Sequence, residues 1–146
     1  MSDCIFCAII DNQAPGSVLY EDDYCVVFMD IAPVNAGHAL VVPRAHAAGL
    51  ADLSEEIGMH LFRIAQRTAA AIRRTEIPCQ GINLFLADGE AAFQDVFHVH
   101  LHVIPRFEGD QFTISADWSQ RPTRRELDAL AAAISDAYDR IWPAEE

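Results

Sequence analysis

The stretch "FHVHLHVIPR", residues 97 to 106, places His98, His100 and His102 at every second position, with Val99, Leu101 and Val103 between them. A period of two is the repeat of a β-strand, so the three imidazoles share one face, spaced roughly 6 to 7 Å apart, while the aliphatic residues take the other. The pattern demands a sheet with one face in the core and one turned toward chemistry. At 146 residues the chain is long enough for one such core without disulfide staples.

The rest of the chain supplies that sheet. A short helix is expected at about residues 4 to 10, and Pro15-Gly16 breaks it. "SVLYEDD" and "YCVVFMDI" read as a hairpin turning at 21 to 23, and "HALVVPR" as a strand closed by Pro43. Asp52 with Glu55 resembles a capping box, after which Ile57, Leu61, Ile64, Thr68 and Ile72 follow at helical spacing. "GINLFLA" and "HVHLHVIP" give two more strands around a polar loop at 88 to 95, and a last amphipathic helix runs from about Thr123 to Arg140. The expected class is α+β: about five mostly antiparallel strands, a main helix, and helices at both ends.

Composition removes several functions. The formal charge is -12, which argues against a nucleic acid polymer as partner, since that binding needs a basic patch. The chain contains no lysine, so Schiff-base and phosphate-loop lysine chemistry is excluded. "MSDCIFCAII" lacks a basic region followed by a sustained apolar run, and no stretch is long enough to cross a bilayer. A cytoplasmic protein with reduced cysteines is expected, so Cys4-x-x-Cys7 is a metal-binding or redox pair rather than a structural disulfide.

Three readings are open for the histidine ridge: an exposed polar face, a catalytic metal site, or a nucleophilic site. His98 and His102 lie roughly 13 Å apart on a straight strand, too far for both to reach one ion with bonds of about 2 Å. A metal-dependent oxygenase would also need a suitably spaced glutamate after the His-x-His, and none is present. Neutral imidazole is a nucleophile near neutral pH, and neighbouring rings can donate to a phosphoryl group.

"HVHLHVI" matches the alternation of the histidine triad, and with "CIFCAII", "YEDD", "MDIAPVNAGHALVVPR" and "GINLFLADGEAAFQDVFHVHLHVIPR" the chain resembles the histidine triad (HIT) family of nucleotide hydrolases and transferases over roughly residues 4 to 106. The resemblance implies a single HIT domain over 1-146, with a variable extension from about 110. It implies that His100 attacks the α-phosphorus of a nucleotide conjugate, a phosphoramidate or dinucleoside polyphosphate, to form a covalent nucleotidyl-imidazole. His102 and Gln94 would contact the phosphate, His38 would sit beside the triad, and Asn83 would lie near the phosphate. Asp30 would bind the ribose, and Ile5, Phe6, Ile9 and Phe28 would enclose a purine. The same resemblance, together with the related galactose-1-phosphate uridylyltransferases, implies a structural zinc on Cys4, Cys7, His46 and His98, and a homodimer. A non-catalytic nucleotide-binding or zinc-stabilised interaction module is the alternative. His60, on the main helix, is expected to be a satisfied surface or core histidine rather than a ligand.

The loop before the triad departs from the family. Phe93 stands where glycine is usual and Asp95 where a hydroxyl is frequent, and Ala87 replaces a frequent asparagine. A bulky residue at 93 predicts a different loop backbone. A carboxylate at 95 repels phosphate unless it turns outward, pairs with an arginine such as Arg106, or is protonated.

Overall fold

The computed structural model describes residues 3–144. Residues 1–112 and 113–146 form two compact units. In the first, α1 (Ile5–Ile10) precedes strands β1 (Val18–Glu21), β2 (Cys25–Met29) and β3 (Ala39–Pro43). Helix α2 (Glu55–Ile72) then crosses to β4 (Gly81–Phe85) and β5 (Leu101–Arg106). The strands form one antiparallel sheet in the order β1-β2-β3-β5-β4, which puts the last-made strand β5 between β3 and β4. The α+β class with a five-stranded sheet is borne out.

Both faces of β2 and β3 are buried, because a helix covers each side. Cys25, Val27, Ala39, Val41, Leu101 and Val103 face Leu61, Ile64, Ala65 and Ile72 of α2. Val26, Phe28, Leu40 and Val42 face the other way, onto Phe6 of α1. Leu61 and Ile64, each 2% exposed, contribute roughly 2 kcal/mol apiece through burial. The aliphatic members of the triad run thus belong to the α2 core, and the histidines fall on the α1 side, as the period of two requires.

Two boundaries differ from the sequence-based expectation. The β5 ladder starts only at Leu101, so His98 and His100 precede it, although Val99 N–H still bonds Ala47 C=O at 2.8 Å. Ser54 caps α2, its hydroxyl accepting from Ile57 N–H; Asp52 lies in the preceding turn and does not cap. A cap needs the side-chain oxygen two or three residues before the amide it serves, and only Ser54 stands at that point.

The second unit contains α3 (Arg124–Ile141), 18 residues long and opened by a complete capping box between Thr123 and Glu126. The expected helix is therefore present, and it is as long as α2. Among the described residues, no helix is long and apolar enough to cross a membrane.

Candidate active site and metal site

Hydrogen bonds to the backbone fix which nitrogen each imidazole offers. His100 lies on the α1 side, only 3% exposed, with Phe6 packed edge-on at 5.0 Å. Its Nδ1 is 2.7 Å from the carbonyl oxygen of His98. A carbonyl accepts only, so Nδ1 carries the proton and Nε2 keeps its lone pair. That ring lines a cavity of about 640 Å³.

His38 and His102 are set by the opposite device. Val34 N–H donates to His38 Nδ1 at 3.0 Å, so the His38 proton sits on Nε2. That atom donates to His102 Nδ1, 2.8 Å away, which leaves the His102 proton on Nε2. Gly37, at φ 88°, makes the turn that brings Val34 within reach, in a conformation an L-residue would strain to hold. Asp30 Oδ2 lies 3.4 Å from His38 Nε2 and 4.0 Å from His102 Nδ1, while its Oδ1 accepts from Ala32 N–H. The outcome is a lone pair on His100 beside an N–H donor on His102, with ring centroids 4.8 Å apart.

Burial favours the neutral form of three of the histidines, His38, His98 and His102. Desolvation pushes the pKa of His102 down to about 4, helped by the neighbouring His100 and His38. Burial likewise lowers His38 and His98. A neutral His102 is what an uncharged donor needs at neutral pH.

The cavity is also lined by Ile5, Phe6, Ile9, Phe28 and Asp30, so the structure brings all five of these expected residues together with His100 and His102. His38 supports the site from behind. Gln94 and Asn83 do not line the cavity. The Gln94 amide is engaged by the loop backbone, donating to Ala48 and Val96 carbonyls and accepting from Gly89 N–H. Asn83 accepts from Arg106, whose guanidinium also holds Asp110 and the Phe112 carbonyl.

Arg106 is thereby occupied and does not pair with Asp95. Asp95 instead sets Oδ1 3.6 Å from His100 Nε2, held by Val96 N–H at 2.9 Å. It is not neutralised by arginine, and its side chain is largely open to solvent while Oδ1 stays near His100. Phe93 adopts φ 69° and ψ 26°, the left-handed region that glycine favours. The loop therefore accepts strain at a bulky residue where a changed backbone was expected.

A second cluster adjoins the first. Cys4 caps α1 with its sulfur, and one helical turn brings Cys7 beside it. Cys4 Sγ and Cys7 Sγ lie 3.4 and 3.5 Å from His98 Nδ1, Cys7 Sγ 3.4 Å from His46 Nδ1, and the two Nδ1 atoms 3.2 Å apart. All four donor atoms fall within 4.8 Å of one another. The edges of a tetrahedron with metal bonds of about 2.0 to 2.3 Å measure roughly 3.3 to 3.8 Å. His98 Nε2 donates to Pro43 C=O at 2.7 Å, which frees the Nδ1 lone pair for a metal. Donor type, spacing and tautomer all fit a four-coordinate ion.

One further cluster is invisible to local sequence patterns. His60 is a satisfied histidine, as expected, but its partner is distant in sequence: its Nε2 lies 2.7 Å from Asp22 Oδ2, which also accepts from Tyr20 OH, while Asp22 Oδ1 takes the Tyr24 and Cys25 amides. The contact ties α2 to the β1–β2 turn across 38 positions of sequence.

Lone-pair and donor imidazoles over a nucleotide-sized cavity, braced by a Cys2His2 cluster, define a histidine triad protein. The model of the HIT domain matches residues 11–109, and the chain belongs to the HIT family. A HIT family protein from Bacillus anthracis superposes with a TM-score of 0.85 at 39% identity, over 93% of this chain and 97% of that one. A zinc-bound histidine triad family protein from Mycobacterium smegmatis does so at 0.73 and 38% identity, over 92% and 97%. The adenosine 5'-monophosphoramidase of Schizosaccharomyces pombe is 34% identical over 133 residues, 90% of this chain and 96% of that protein. Membership bears out the expectation of a HIT-type enzyme.

Proposed function

We propose that the protein is a nucleotidyl hydrolase or transferase that cleaves purine nucleotide conjugates at the α-phosphate through a covalent intermediate on His100. The observation that carries this reading is the His100 tautomer: Nδ1–H tied to the His98 carbonyl, Nε2 open to the cavity. The Nε2 lone pair forms a bond to phosphorus as the bond to the leaving group breaks and its electron pair departs with that group, which takes a proton from solvent. The resulting imidazolium keeps its Nδ1 proton on the His98 carbonyl, which stabilises the positive charge. The His102 Nε2–H donates to a phosphoryl oxygen. Attack by water breaks the phosphorus–nitrogen bond, restores neutral His100 and releases its own proton to solvent. Asp30 suits ribose hydroxyls, and Ile5, Phe6, Ile9 and Phe28 suit a purine. Gln94 holds the loop in this reading, and Asn83 holds Arg106.

Zinc on Cys4, Cys7, His46 and His98 is part of the proposal, supported by the donor geometry and by the zinc-bound relative. Such an ion would pin α1, which supplies Phe6, to the segment that carries His100. We place the whole chain in one HIT domain whose catalytic unit is 1–112, with 113–146 as an extension. Thiol ligands suit a reducing cytoplasm, and the uncovered β4 edge with exposed Leu84 and Phe85 suits pairing with a second copy.

The test is trapping. Protein mixed with a conjugate labelled at the α-phosphorus and quenched without acid should retain label on His100, and His100→Asn should retain none. A protein that binds the conjugate but never becomes labelled is a binding module, and the enzymatic reading is then lost.

A further inference from the structure

Beside the nucleotide cavity lies a second space of about 430 Å³, bordered by Asp3, His46, Phe97 and, in common with the first cavity, Ile5, Asp95 and Val96. A nucleotide that fills the larger cavity with its phosphorus at His100 Nε2 must send its remaining substituent past Asp95, whose Oδ1 is 3.6 Å from that nitrogen. The side chain of Asp95 is 81% exposed, so its carboxylate meets whatever enters from solvent. Among the described residues no arginine borders either cavity, the chain has no lysine, and Asp3 adds a second carboxylate to the smaller one.

We propose that Asp95 is a specificity-determining residue and that the second cavity is a leaving-group subsite for cationic alkylamines joined to phosphorus through nitrogen. This rests on the nucleotidyl-transfer reading and names the class of conjugate it acts on. A dinucleoside polyphosphate would bring several negative charges against Asp95 and Asp3, in a protein already at -12, whereas an ammonium group is attracted by both. Ile5, Val96 and Phe97 offer apolar wall to the alkyl stem while the charged end reaches the carboxylates.

The experiment compares kcat/KM for three AMP conjugates: an ω-ammonium alkylamine linked through nitrogen, an uncharged alkylamine of the same length, and diadenosine tetraphosphate. The wild type should favour the ammonium conjugate over the uncharged one by about fivefold, the size of one solvated charge–charge contact. In Asp95→Asn that ratio should fall to within about twofold, and turnover of the tetraphosphate should rise. Salt at about 0.5 M should shrink the wild-type preference as well. Asp3→Asn should reduce the preference by a smaller factor. A wild-type ratio near one, or a preference that survives in Asp95→Asn, overturns the assignment while label still trapped on His100 leaves the reaction standing. Absence of trapped label and of turnover with all three conjugates removes the reaction itself.

Discussion

His98 and His100 stand two residues apart, both buried, and do opposite work because different atoms of the two rings meet a backbone carbonyl. His98 gives Nε2–H to Pro43 and turns Nδ1 to two sulfurs and His46. His100 gives Nδ1–H to His98 and turns Nε2 to the cavity. One carbonyl leaves a lone pair facing the two cysteines and His46, where the proposed metal would sit, and the other leaves one facing the cavity, from which the proposed attack would come. Burial lowers the pKa of His98, since the charged form would lose its solvation.

The widest separation between the two should come from substitutions that keep one hydrogen bond and delete the other nitrogen. In His100→Asn the amide can still donate to the His98 carbonyl, so the nucleophile is lost alone. Turnover should fall by about 10⁴-fold or more, while stability in urea changes by about 1 kcal/mol. In His98→Gln the amide can still reach Pro43, so the metal ligand is lost alone. Bound zinc should drop well below one equivalent, stability should fall by roughly 3 to 5 kcal/mol, and turnover by about tenfold. Zinc analysis, urea melts and steady-state rates on both variants check the contrast. Equal losses of activity and stability in the two would erase it.

Acid should expose a smaller effect on the same rings. His102 titrates near 4 in the folded protein, against about 6.5 unfolded. Between those values the unfolded chain binds more protons, so stability rises with pH there and is lost as pH falls from 6.5 toward 4. The loss attached to His102 is on the order of 3 kcal/mol, and His38 and His98, also lowered, add in the same direction. Asp22 and Asp110 are held well below the usual carboxylate range, Asp22 by the Tyr24 amide and His60 against its own desolvation, Asp110 chiefly by Arg106. Their contribution is lost only below that window, so the histidine slope can be read separately. Urea unfolding at pH 7.5 and 4.5 measures it, and equal stability at the two values would contradict neutral buried rings.

The parts of this comparison visible in sequence were those set by local period. Alternation put His98, His100 and His102 opposite Val99, Leu101 and Val103, and helical spacing picked out Leu61, Ile64 and Thr68. Cys4-x-x-Cys7 announced itself for the same reason. Which nitrogen each ring presents was not legible, because Pro43 and Val34 decide it, and they reach His98 and His38 only through the fold. The Asp22–His60 contact was hidden by its length in sequence. Asp95 was readable as a departure from the family, but its aim at His100 depends on where Arg106 is already engaged.

Phe93 gives the smallest and sharpest test, since it sits in the loop that aims Asp95. Its ring is 85% exposed and its backbone left-handed, which costs an L-residue roughly 1 to 2 kcal/mol. Glycine removes that strain but gives back roughly 0.5 to 1 kcal/mol in unfolded-chain entropy, so Phe93→Gly should stabilise by about 0.5 to 1 kcal/mol, a rise of roughly 2 to 4 °C in Tm. His98 and His100 are held by carbonyls outside this loop and His102 by His38, so label trapping on His100 should persist in the variant. Asp95 is held within the loop, and a looser loop should weaken the preference for ammonium conjugates by about twofold. A lower Tm would mean that the Phe93 ring makes contacts worth more than the strain, and that glycine was replaced here for packing.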